Sequence, residues 1–104
     1  MNRDFLEEFV EQIEELSKTC DKNDYVKDSC GSYLKHFYLD NLITETRKFM
    51  KYGEYKIALE MLLDNLAEVS IVLDEKVINL ARQEFGEAIT VEIEELLNNL
   101  TKKV

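Results

Sequence analysis

Proline is absent from this 104-residue chain, glycine occurs three times, cysteine twice and histidine once. Each scarcity excludes a class of chemistry. Gly31, Gly53 and Gly86 are isolated from one another, so neither a glycine-rich phosphate loop nor a G-x-S-x-G elbow can be built. His36 stands alone, which rules out a two-histidine metal site, an H-E-x-x-H helix and any dyad that needs a second histidine. Cys20 and Cys30 form neither a C-x-x-C redox pair nor half of a zinc site. They read as reduced, partly buried thiols. No run of 18 apolar residues occurs, and the opening Met1-Asn2-Arg3-Asp4-Phe5-Leu6-Glu7-Glu8 lacks the uncharged apolar stretch of a secretory signal. No membrane span is expected, and the expected compartment is the cytoplasm.

Positive charge is also in short supply. Twenty-two acids face 13 Lys plus Arg, giving a formal net charge of -9. That balance repels nucleic acid and anionic lipid and attracts basic proteins. Direct DNA or RNA binding is therefore not expected. Hydrophobic residues at 45% and charged residues at 34% place the chain among globular proteins rather than disordered ones. A chain of this length forms one domain, 1–104, and hides roughly two-thirds of its unfolded surface.

What is abundant is helical pattern. Each glycine lies where such a pattern starts or stops, and Gly53 and Gly86 suit a left-handed helix C-cap. No sustained alternation marks a strand, so the expected fold is all-α, a compact bundle of four to five short amphipathic helices. The first spans Asp4 to Thr19: Phe5, Leu6, Phe9, Val10, Ile13 and Leu16 fall within roughly 140° of the helical wheel. Asp4, Glu7, Glu8, Glu11, Glu14 and Glu15 fill the opposite arc. Asp21 to Ser32 reads as a polar connector. Asp21 and Asn23 match the first ligands of a calcium loop, but Val26 replaces its glycine and Ser32 its bidentate glutamate, which rejects that reading.

Tyr33 to Tyr52 carries two apolar faces, Tyr33-Leu34-Phe37-Tyr38 and Leu42-Ile43-Phe49-Met50, rotated from one another. A short helix followed by a second one, capped near Asp40 or Asn41, fits that pattern. Glu54 to Val69 is strongly amphipathic, with Tyr55, Ala58, Leu59, Leu62, Leu63, Leu66 and Val69 on its core stripe. Glu60, Asp64 and Glu68 follow an i, i+4, i+8 ladder on its far side. Ser70 to Leu73 is a short apolar connector, Asp74 caps a helix over Glu75 to Phe85, and a last helix covers Ala88 to Leu100, with Lys102 and Lys103 at its dipole's negative end. Short connections favour antiparallel neighbours.

No catalytic constellation emerges. His36, flanked by Phe37 and Tyr38, reads as structural, and a Cys30/His36 nucleophile pair lacks an oxyanion site. Glu7/Glu11 and Glu60/Asp64 have the spacing of carboxylate-bridged metal bundles, but the Glu-x-x-His partners are missing and these acids point away from the apolar stripe. Such acids form either a solvated face or a docking surface for a basic partner. Like charges at ladder spacing destabilise an isolated helix by a few tenths of a kcal/mol each, so something other than stability favours them. Arg47, Lys48, Lys51 and Lys56 make a small basic cluster expected to pair with neighbouring acids. A binder without catalytic residues, cofactor or metal is the expected class, rather than an enzyme.

Tyr52-Gly53-Glu54-Tyr55-Lys56-Ile57-Ala58-Leu59-Glu60, continued by Leu62, Asn65-Leu66, Ile78, Leu80-Ala81 and Phe85-Gly86, resembles a pattern in small immunity proteins of bacterial polymorphic-toxin and contact-dependent growth inhibition systems, of the MafI and CdiI type. The resemblance covers residues 51–86, about a third of the chain. Most matched positions are core leucines or the Gly53 hinge. The resemblance implies an inhibitor made beside a toxin, binding the toxin's C-terminal nuclease domain, often an RNase acting on tRNA, and blocking its active site. It transfers no interface residue. Charge nominates Glu60, Asp64 and Glu68 as the toxin-facing surface, with Glu7, Glu11 and Glu14 as the alternative face and Tyr52 and Tyr55 as aromatic anchors. A helical adaptor or regulatory subunit without a toxin partner is the competing expectation.

Overall fold

The computed structural model describes residues 3–86 and 89–101. Within them the chain runs α1 (Arg3–Thr19), β1 (Tyr25–Asp28), β2 (Gly31–Leu34), α2 (Lys35–Lys51), α3 (Tyr55–Glu68), α4 (Glu75–Phe85) and α5 (Val91–Leu100). The expected helical bundle is present, with one small hairpin added. α3 sits at its centre, against α2 on one side and α5 on the other, while α1 packs on α2 and α4. Ala58, Leu59, Leu62, Leu63 and Leu66 of α3 are fully buried, which accounts for the strength of that stripe in the sequence.

The segment expected to be an irregular connector folds as the hairpin. β1 and β2 pair antiparallel, Tyr25 with Leu34, Val26 with Tyr33, Lys27 with Ser32 and Asp28 with Gly31. Only Val26 of the eight strand residues is buried, so no alternation could appear. The tip, Ser29-Cys30, carries none of the Asn-Gly chemistry that announces a tight hairpin. Asp28 builds the turn instead, its Oδ1 accepting from the backbone N–H of Cys30 (2.8 Å) and Gly31 (3.0 Å).

Residues 35–51 form one 17-residue helix, not the two short ones expected. Tyr33 and Leu34 belong to β2, and Phe37 faces solvent. Once these leave the count, Leu39, Leu42, Ile43, Thr46 and Met50 make an ordinary single stripe. No cap is needed at Asp40. Its Oδ1 accepts a 2.7 Å hydrogen bond from the buried Ser17 hydroxyl, joining α1 to α2. Thr46, fully buried, is satisfied by donating to the Leu42 carbonyl at 2.8 Å.

α2 ends in a complete Schellman motif. Gly53 (φ +75°) donates to the Met50 carbonyl at 3.0 Å and Glu54 to the Phe49 carbonyl at 3.0 Å. α3 ends the same way on a residue the sequence did not mark: Ser70 (φ +58°) donates to Ala67 and Ile71 to Leu66, both at 3.0 Å. A Cβ in this region is disfavoured by about 1–2 kcal/mol. Gly53→Ala is therefore expected to destabilise by about 1 kcal/mol and Ser70→Gly to stabilise by somewhat less, since glycine also loosens the unfolded chain. Denaturant midpoints moving in opposite directions check this pair.

Gly86 has the expected positive φ (+52°), but its ψ of -126° is not the left-handed helical cap. Asp74 caps α4 as expected, its carboxylate accepting from the Lys76 N–H at 2.9 Å. α5 begins later than the pattern suggested, behind Thr90, whose hydroxyl accepts from the Ile93 N–H at 3.2 Å. The expected start at Ala88, and Lys102 and Lys103, lie outside the described residues. Ile71 and Leu73 of the connector are buried, and the Leu73 N–H donates to the Leu100 carbonyl at 2.8 Å. Arg82 ties α4 to α5 through Glu94 (2.7 Å) and Asn98 (2.9 Å).

Candidate functional site

The core stripe of α3 fixes what its other side presents. With Leu59, Leu62, Leu63 and Leu66 inside, Glu60 is half-buried at the surface and Asp64 and Glu68 are exposed. None of the three forms an ion pair among the described residues. An apolar groove of about 510 Å³ lies between α3 and α5, where Ile57, Met61, Ile93 and Leu96 accompany Glu60 and Asp64. A second groove, of about 440 Å³, lies between α3, α2 and β2 and is lined by Tyr33, Phe37, Tyr38, Leu42 and Met61, with Glu45 at its edge. Met61 borders both, and Glu60 and Asp64 of the ladder line the first.

The second groove has aromatic walls. The Tyr33 and Tyr38 rings lie 5.7 Å apart at 38°, and Phe37 is 57% exposed beside His36, whose ring is 4.3 Å away. The Tyr38 hydroxyl donates to the Asn65 carbonyl at 2.9 Å, pinning α2 to α3. Burial first, and then the carboxylates of Asp28, Glu68 and Asp64, push the Tyr38 pKa above its usual value. Desolvation and Asp28 do the same to Tyr33. Asp28 of the hairpin thus acts on both tyrosines, and Glu68 and Asp64 of α3 act on Tyr38.

The acids of α1 are placed differently. Glu7 and Glu14 are half-buried, Glu11 is exposed, and none of them lines either groove. Glu14 is committed to Arg47, which grips it with Nη1 at 3.0 Å and Nη2 at 2.9 Å. That hydrogen bond holds the Glu14 carboxyl below its ordinary value of 4.5. The same arginine lies in the field of Glu7 and Glu11, which blunts that face as a free anionic surface. Lys48 pairs with Glu45 at 3.2 Å, so the small basic cluster is partly neutralised, as expected.

The bidentate pair yields a pH prediction. Arg47→Gln is expected to remove less than about 1 kcal/mol, because both side chains remain partly solvated. The folded carboxyl is depressed, so its contribution is complete above the unfolded value and fades as pH falls through the folded one. Melting temperatures of native chain and variant should differ near neutrality and converge in acid. A difference that persisted with the carboxyl protonated would contradict this.

Tyr52 is 76% exposed beside the Gly53 turn, whereas Tyr55 is half-buried against the core. Neither lines a groove. Tyr33, Phe37, Ile57 and Met61, which the sequence did not nominate, supply the apolar surface instead. For Tyr33 and Phe37 the signal was the surplus of apolar positions in Tyr33 to Tyr52, more than one stripe can bury. Cys20 is half-buried, with its thiol 3.3 Å from the Ser17 carbonyl, but Cys30 is exposed at the hairpin tip rather than partly buried. Among the described residues no three His, Cys, Asp or Glu side chains converge as metal ligands, and no helix is long and apolar enough to cross a membrane. No family model, no curated protein and no solved structure matches this chain.

Proposed function

We propose that this chain is a cytoplasmic immunity protein that binds the basic nuclease domain of a cognate toxin, an RNase acting on tRNA being the expected kind, and masks its active site. It acts by occupancy, without catalysis, cofactor or metal. The observation that carries this reading is the α3 ladder, where Glu60, Asp64 and Glu68 form no ion pair among the described residues and the first two line an apolar groove. Stability does not favour that arrangement, since like charges at i, i+4 spacing repel. A cationic partner does, because it neutralises the ladder while the groove between α3 and α5 accepts its apolar side chains.

The net charge of -9 sets the sign of the partner, and the resemblance over residues 51–86 supplies the toxin. A nuclease must be basic where it grips a polyanion, so an acidic protein competes for the same patch and is steered to it. The test is co-expression with a cationic toxin domain encoded beside this chain. Growth rescue together with copurification is the expected result. Cells that die despite ample folded protein would overturn the reading.

A further inference from the structure

We propose that the groove between β2, α2 and α3 is an arginine socket: it receives a guanidinium from a basic segment of the partner protein, stacked on Tyr33, Phe37 and Tyr38 in the field of Asp28, Asp64 and Glu68. This rests on the reading of the chain as a binder of a basic protein, and adds which side chain enters and where.

Three independent observations select that occupant. The walls are rings, two of them 5.7 Å apart, and the third is more than half exposed. A ring face attracts a cation, and a planar guanidinium stacks on it better than an ammonium does. The surrounding charge is negative and comes from separate elements, Asp28 on the hairpin and Asp64 and Glu68 on α3, all acting on the Tyr38 hydroxyl. Glu45, which lines the groove, is paired with Lys48 at 3.2 Å.

Two of the donors that line the groove with the Asn41 amide are already engaged. The Tyr38 hydroxyl is spent on the Asn65 carbonyl, and the Asn65 amide on the Met61 carbonyl at 2.8 Å. A phosphate or a carboxylate would meet the negative field that attracts a cation. An arginine brings its own donors, and its methylene stem lies against Leu42 and Met61.

The probe is an acetylated octapeptide of alternating arginine and leucine, titrated into the ¹⁵N-labelled full chain, with a twin carrying citrulline for arginine. Citrulline keeps the shape and loses the charge. The expected result is saturable shifts at Tyr33, Phe37, Tyr38 and Leu42 with the arginine peptide and at least about tenfold weaker binding of its twin. Phe37→Leu keeps an apolar side chain at an exposed position and removes the ring. It should bind about fivefold or more weakly while melting at the native temperature. Shifts confined to the α3–α5 groove would overturn the socket and leave the acidic ridge as the docking surface. Equal binding of both peptides, or full affinity in Phe37→Leu, would overturn the cation–ring contact. No binding of either peptide would overturn the socket, while rescue from the toxin stands as a separate result.

Discussion

Converting Glu60, Asp64 and Glu68 to lysine together is expected to slow association with the cationic toxin domain by about 100-fold at low salt and to abolish protection of cells. Two effects add. Long-range attraction is lost locally although the chain stays net acidic, and three like charges then face the partner's basic cleft, which costs several kcal/mol at contact. The steering part is screened by salt, so native and variant on-rates should approach one another as ionic strength rises. Asp64 and Glu68 are exposed and Glu60 is half-buried at the rim, so the fold tolerates the change. Reversal of Glu7 and Glu11 on α1 is the matched control. It should alter the on-rate by less than about threefold, because Arg47 already lies in their field. Stopped-flow rates measured across a salt series decide between the two faces.

The largest effect on stability is expected at Leu62. It is fully buried at the middle of α3, where α2 and α5 close over the same helix. Leu62→Ala should lose about 3 kcal/mol, partly the transfer of the deleted methyl groups and partly the cavity left behind. In a domain of this size that lowers the melting temperature by about 15 °C and removes a large share of a total of about 5–15 kcal/mol. Ile57→Ala, one and a half turns earlier on the same helix, is the contrast. Ile57 is 50% exposed, so its truncation should change stability by less than about 0.5 kcal/mol. It lines the α3–α5 groove beside Glu60, and its loss should appear in affinity instead. Chemical denaturation of both variants, beside their binding, separates the side of α3 that holds the fold from the side proposed to meet a partner.

That division was half legible in the sequence. α1, α3 and α4 fall within a residue or so of the spans read from their stripes, because each buries one clean face and leaves the rest to solvent. The Gly53 hinge was legible for the same local reason, since only glycine enters the left-handed region without strain. Failure began where a residue's role depends on distant partners. Val26 alone anchors the hairpin, and a strand with one inward residue has no period. Tyr33, Leu34 and Phe37 then looked like a second helical face, because nothing local says that a strand ends at Leu34 and that Phe37 points outward. Ser70 at φ +58° was invisible, since tertiary packing overrides its backbone preference.

The surface followed the same rule. The α3 ladder could be found by spacing, being confined to one helix. The Glu14–Arg47 link, which weakens the α1 face as a competitor, spans 33 positions and could not. The aromatic groove needs β2, α2 and α3 together. Its one trace in the sequence was a surplus of apolar residues, read there as a second helix.

The proposed function reduces to occupancy of a basic catalytic cleft by the acidic side of α3. The direct measurement is cleavage of RNA by the purified neighbouring toxin domain at physiological salt, titrated with this protein. Inhibition should be complete at equimolar protein and absent with the Glu60, Asp64 and Glu68 reversal. Undiminished cleavage at a large molar excess of folded native protein would contradict it.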